Sequence, residues 1–325
     1  MFEDLLKATA EGKKTQAELR ELQREALDFQ WFSNRDSSVE KLEAFGNHVY
    51  QRVAQEVELY NPIDMFYDVV PGDLDTELEF SEVIGYGRVY DWAYGTVRKA
   101  SSLTQTAWTV RQSPRAMHFR IPVQKLQTGR LLVSDLVSAA AKGILVHKIS
   151  LGLNVFNAAF PANGAFSTNL NNAAIGQVAL DAAIRRVRGV SDIRAIVGSA
   201  RALFPLDNLA GYDALGFDDA TKAELHRKGV LGMYRGIPVI RIKDFTDERY
   251  NVNPISNTDI YIVPATEKAR YNVYSEIGST RPEPPQSHQE DQTVSLYWQW
   301  EDGAAVNAAA NRQQYFHRFA AAAIQ

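Results

Sequence analysis

The 325-residue sequence predicts an α+β fold, and three observations carry that reading. A stretch from Ser134 to about Phe160 reads as one long helix. From Ser191 to Pro264, short apolar strands alternate with short helical segments. Near the end, Gln292 to Glu301 alternates with period two and places Val294, Leu296, Trp298 and Trp300 on one face.

Residues 2 to 30 open the chain as an amphipathic helix with Leu19, Leu22, Ala26 and Phe29 along one stripe. A break at residues 33 to 38 precedes a second helix with Val39, Leu42, Phe45, Val49, Val53 and Val57 in line, ended by Asn61-Pro62. This opening reads either as helices packed on the chain's own core or as an arm lying on a neighbouring molecule. From Asp64 to about Lys125 the pattern turns to aromatic and β-branched residues. Strands are expected at Val83–Tyr90, Ala107–Val110 and His118–Val123, making a long hairpin with a polar tip around residues 98 to 106. Its charges are sorted. Asp68, Asp73, Asp75, Glu77, Glu79 and Glu82 come first, and Arg88, Arg98, Lys99, Arg111, Arg115, Arg120, Lys125 and Arg130 follow, broken only by Asp91. Such sorting suits either an unevenly charged solvated face or an extended arm that meets an oppositely charged patch on an identical neighbour.

Ser134-Asp135 is a favourable start for the long helix, which would span roughly 35 to 40 Å. Leu136, Ala140, Ile144, His147 and Leu151 share a stripe, with His147 as a partly buried structural residue. A loop at residues 161 to 168 leads to a helix from about Asn172 to Arg188, closed by Gly189. An apolar strand at Ile193–Val197 stops at Gly198-Ser199. Asp218-Asp219 caps a helix through Lys228. Val230–Tyr234 and Ile237–Ile242 then flank Arg235-Gly236 as a tight hairpin. Asp259–Pro264 is one more buried strand, and Gly278 to Gln292, rich in proline, reads as a loop.

Composition narrows the function. The hydrophobic share of 45% and charged share of 23% belong to a folded protein. A net charge of −4 gives no electrostatic footprint for a dedicated nucleic-acid binder. The absence of cysteine excludes disulfides and thiolate chemistry. The charged N-terminus lacks the core of a signal peptide, and no apolar run is expected to reach the roughly 20 residues that cross a bilayer. Gly85-Tyr86-Gly87-Arg88-Val89-Tyr90 has Tyr90 where a dinucleotide loop needs its third glycine. Gly198-Ser199-Ala200 lacks the flanking glycines of a nucleophile elbow, and the six histidines stand without metal spacing. No catalytic, cofactor-binding or metal-binding residue is assigned. The acidic run Asp73, Asp75, Glu77, Glu79 reads as a solvated arm rather than a cation site.

The order of elements resembles the major capsid proteins of tailed bacteriophages, the Hong Kong 97-like fold. The most specific local match is Gly229-Val230-Leu231-Gly232-Met233-Tyr234-Arg235-Gly236-Ile237-Pro238-Val239-Ile240, with the strand ending at Gly198-Ser199 as its companion. Trp298 to Gly303 is similar to the final strand and turn of that family's peripheral domain. The resemblance implies an N-terminal helical arm (1–63), an extended β-hairpin loop (64–130), a peripheral domain with its spine helix (131–190), an axial α/β domain (191–264) and a return to the peripheral domain (265–325). It implies a virion protein, made in the host cytoplasm, that joins copies of itself as hexamers and pentamers into an icosahedral shell around double-stranded DNA held weakly and non-specifically. Scaffold, portal and decoration proteins are the further partners implied; no membrane is. A short helical opening at Met1 suggests a separate scaffold rather than a fused one. Glu77, Glu79, Arg111 and Arg115 are expected at contacts between subunits. An encapsulin-type compartment shell and a soluble α/β enzyme with accessory arms are the competing readings.

Overall fold

The computed structural model describes residues 16–27, 36–61, 63–71, 77–84, 104–170, 175–213, 230–242, 259–265, 272–276, 281–282, 286–288, 292–306 and 314–320. Helix α1 spans Gln16–Ala26, α2 spans Asp36–Tyr60 and α3 is the single turn Ile63–Phe66. The α2 stripe is as expected: Leu42, Phe45, Val49, Val53 and Val57 are buried, joined by Tyr50. α1 differs. Among the described side chains Leu19 is half-buried while Gln23, and Leu27 just past the helix end, are buried, and residues 2–15 and 28–30 and the side chains of Leu22 and Ala26 lie outside the described ones. Both helices pack on the chain's own core, the first of the two readings of this opening.

Strand β1 (Asp68–Pro71) precedes β2 (Leu78–Ile84), β3 (Thr104–Val110) and β4 (Ser113–Pro122). The first hairpin arm begins at Leu78, earlier than its aromatic residues suggest, and positions 85–103 lie outside the described residues. A short helix α4 (Val123–Gln127) leads to the long helix α5 (Val133–Ala159). At 27 residues, α5 is about 40 Å long.

The expected cap at the start of α5 is corrected. Leu132 is the capping position and offers no side-chain bond. Gln23 of α1 serves instead: its Oε1 accepts from the Val133 amide at 3.0 Å, while its Nε2 donates to the Leu126 and Leu131 carbonyls at 2.8 and 2.7 Å. One side chain from 110 residues upstream thus satisfies an orphan helix donor. The expectation about apolar runs is also corrected, because α5 is long and apolar enough by composition to cross a membrane. In this fold it is the core helix. Leu136, Ala140, Ile144, Ile149, Leu153 and Phe156 are buried on more than one face, so a single stripe understates it.

Then follow β5 (Ser167–Asn169), α6 (Gln177–Arg188), β6 (Ile193–Gly198), the turn α7 (Ala200–Leu203) and a 3₁₀ turn at Phe204–Asn208. β7 (Tyr212–Asp213), β8 (Val230–Tyr234), β9 (Ile237–Arg241) and β10 (Ile260–Pro264) come next. α6 starts at Gln177, five residues later than the sequence suggested. The helix expected after Asp218 lies outside the described residues. Arg235 and Gly236 have φ of 48° and 78°, the double left-handed turn whose twist suits a two-residue hairpin.

The tail holds β11 (Asn272–Glu276), β12 (Arg281–Pro282), β13 (Gln286–His288), β14 (Thr293–Val306) and β15 (His317–Ala320). β12 and β13 correct the loop reading of residues 278–292: both pair antiparallel with β14. β14 is the axis of a six-stranded sheet, with β4 along one side and β13, β12 and β11 in succession along the other. The second sheet runs β5-β15-β10-β6-β9-β8-β7.

Two cores result. The first gathers α2, α3, α5 and the inner faces of β4 and β14. The second gathers α6, α7 and one face of the second sheet. β6 and β10 are shared, since period two sends Ala195, Val197, Tyr261 and Val263 to the first core and Ile196, Ile260 and Ile262 to the second. α6 packs in the second core, and β15 pairs with β10 and β5.

Candidate assembly surfaces

β2 and β3 form a two-stranded sheet of their own, paired in register from Leu78↔Val110 to Ile84↔Thr104. Phe80 and Trp108 stack across it with ring centroids 5.9 Å apart. An isolated two-strand ribbon is marginal in water, so its base must be anchored. Val110 there is buried, and a Cβ on Gly303 of β14 would collide with the Arg111 carbonyl oxygen. Only glycine lets β14 pass that close to the turn between β3 and β4.

The four residues expected at subunit contacts separate into two groups. Glu77, Glu79 and Arg111 are exposed, and Glu77 and Arg111 sit one step beyond the last paired positions, Leu78 and Val110. Arg115 is committed inside the chain. Its Nε donates to Asp302 Oδ1 at 3.2 Å.

Asp302 is almost wholly buried and also accepts from Trp300 Nε1 at 2.9 Å, while His147 Nε2 stands 3.0 Å from its Oδ2. The ribbon base, the long helix and the central strand therefore meet on one carboxylate. Sequence reasoning missed Asp302. The available signal was the alternation itself, since the face holding Trp298 and Trp300 continues to position 302.

Two more buried carboxylates hold the second sheet. Asp259 accepts from Arg318 Nη2 at 2.7 Å, and Arg318 Nη1 also donates to the Asn157 and Phe160 carbonyls at the end of α5. That guanidinium joins β15 to the negative end of the helix dipole. The Tyr261 phenol donates to Asn157 Oδ1 at 3.0 Å, and burial beside Asp259 pushes its pKa up, so it remains a donor. Asp181 of α6 accepts from the Tyr234 phenol at 2.9 Å and pairs with Arg235 at 2.6 Å, fixing the tight turn of the β8–β9 hairpin.

His317 is the acceptor for Arg186 Nη2 at 2.6 Å through Nδ1, and its Nε2 lies 3.0 Å from Thr168 Oγ1. Since arginine only donates, the ring is neutral with its proton on Nε2. Burial and the Arg186 charge push its pKa down to about 3. Burial and Arg52 push His48 down to about 4.

Ser199 Oγ caps α7 by accepting from the Ala202 amide at 3.1 Å, which explains Gly198-Ser199 structurally. Among the described residues no three His, Asp or Glu side chains gather as metal ligands would. The Gly85–Tyr90 segment and the acidic positions 73 and 75 lie outside the described residues.

No family model matches the chain, and no curated protein matches its sequence. Solved structures do match in fold. A chain from Microbacterium phage Oxtober96 is similar at 10% identity with a TM-score of 0.55, covering 81% of this chain and 91% of that one. A chain in the capsid structure of the cyanophage P-SCSP1u is similar at 12% identity and 0.55, covering 81% and 88%. One from Gordonia phage Cozz is similar at 10% identity and 0.52, covering 80% and 86%. The chain has the α+β fold of these phage structures, the cyanophage capsid among them, as the resemblance implied.

Proposed function

We propose that the chain is the structural subunit of a bacteriophage head, a non-enzymatic protein that binds copies of itself as hexamers and pentamers in a closed icosahedral shell. One observation carries the reading. A body stapled by buried carboxylates at Asp302, Asp259 and Asp181 holds a two-stranded ribbon that shares a sheet with nothing else among the described residues. Such a ribbon gains little alone and much from a partner. The fold it shares with phage capsid structures supplies the partner: more of itself. Sister subunits related by rotation give heterologous contacts that close rings, and many weak contacts together make the shell durable. The genome inside is double-stranded DNA, and a net charge of −4 keeps the shell's grip on it weak. A scaffold directs curvature, a portal occupies one vertex, and the finished protein resides in the virion after synthesis in the host cytoplasm.

Glu77, Glu79 and Arg111 are the assembly contacts in this account, whereas Arg115 serves the subunit. Glu77→Lys with Glu79→Lys abolishes shells in electron micrographs and leaves a soluble monomer melting like the wild type. Arg115→Ala lowers the melting temperature of the subunit itself. Unchanged particles from the double reversal overturn the assignment.

A further inference from the structure

β15 joins the second sheet from within. It lies between β5, to which it runs parallel, and β10, which it meets antiparallel. Period two shares its neighbourhood between the two cores. Phe316, just before the strand, enters the first core against Phe156 and Phe160, with ring centroids 5.3 and 5.7 Å apart. Phe319 fills the second core. Arg318 ties Asp259 to the last carbonyls of α5, and His317 accepts from Arg186 of α6. On the β5 side the Arg318 amide donates to the Phe166 carbonyl at 3.2 Å, and the Leu170 amide donates to the Ala320 carbonyl at 2.7 Å. The short segment 316–320 therefore holds both cores, α5 and α6 at once.

The same segment can leave with little else disturbed. β5 is three residues long, and β15 is its one strand partner among the described residues. When β15 departs, β10 keeps β6 along its other side, and β6 keeps β9. Two of the anchors are polar. His317 and Arg318 exchange their partners for water on release, which forfeits less than stripping an all-apolar strand from a core. We infer that residues 316–320 form a strap that opens as a unit while the rest of the subunit stays folded, and that a subunit enters a shell only with its strap seated. Seated, the strap clamps the two cores to each other through Phe316 and Phe319. Open, it takes Arg318 from Asp259 and from the end of α5, and the joint between the cores loosens. Entry into a shell rests on the function proposed above; the opening of the strap does not.

The test uses the full-length chain, free and assembled. Native-state hydrogen exchange in dilute urea is followed at the Arg318 and Leu170 amides and at amides of β6. In the free subunit the strap amides open together, about tenfold or more faster than β6. In particles they slow to the β6 rate. In parallel, Asn169→Cys is combined with Ala320→Cys, at paired positions of β5 and β15 in a chain that has no native cysteine. Oxidation of that pair slows the strap amides of the free subunit to the β6 rate, and the oxidised subunit still forms particles. Arg318→Ala loosens the strap and lowers particle yield, and the oxidised cysteine pair restores it. If the variants do not fold, exchange on the wild-type chain decides. Strap amides of the free subunit that exchange only as β6 does overturn the strap. Strap amides that stay as fast in particles as in the free subunit overturn its role in assembly and leave the shell reading standing. A wild-type chain that forms no particles, with or without a scaffold, removes the shell reading, and the free-subunit exchange still decides the strap.

Discussion

Asp302 shows how much of the design depends on a single group. Its almost wholly buried carboxylate takes Arg115 and His147 from distant parts of the chain and Trp300 from its own strand. Asp302→Ala leaves those donors facing a void and is expected to cost about 3 kcal/mol in urea denaturation. Gln23→Ala removes three hydrogen bonds around the start of α5 and should cost about 1–3 kcal/mol, seen as faster exchange at the Val133 amide and proteolysis near α1. Acid acts through two histidines whose folded pKa values are depressed to about 3 and about 4. The unfolded chain takes up these protons below about pH 6.5 and the folded chain does not. Stability is therefore complete above that pH and falls as pH drops toward 4 and then 3. His317→Gln flattens that fall, as thermal melts between about pH 7 and pH 4 would record. At this scale the sequence was legible where one periodic pattern decides the answer. The inward face of Val294, Leu296, Trp298 and Trp300 is as read, and so is the structural role of His147. Gln23 was not legible, because its partners lie more than a hundred residues away; for Asp302 the alternation marks an inward position, but its partners Arg115 and His147 are equally remote and no local pattern encodes them.

Among the elements, the tightest constraint is the crossing of β14 over the turn at Arg111. Gly303→Ala places a methyl group on a backbone oxygen that cannot rotate away. The expected loss is about 1–3 kcal/mol in the urea midpoint, with the ribbon base the first segment to exchange. Elements set by neighbours in sequence were readable in advance: α2, α5 and the β8–β9 hairpin with its Arg235-Gly236 turn. Elements set by pairing partners were not. β12 and β13 are too short to announce themselves and exist because β14 offers an edge. β15 follows the tail in sequence but belongs to the other sheet, where Phe319 fills the second core and Arg318 closes the end of α5.

As a whole, the molecule is two cores sharing β6 and β10, so a force applied to one sheet reaches the other through packed side chains. That suits a shell brick, whose ribbon has to keep its angle to the body when neighbours pull on it. Replacing residues 78–110 with a tight turn should leave both cores folded, with near-wild-type circular dichroism, and abolish particles. The most direct measurement is electron microscopy of the purified full-length chain, alone and with a scaffold. Closed icosahedral shells built of hexamers and pentamers are the predicted result. A small oligomer of fixed size under every condition contradicts the account.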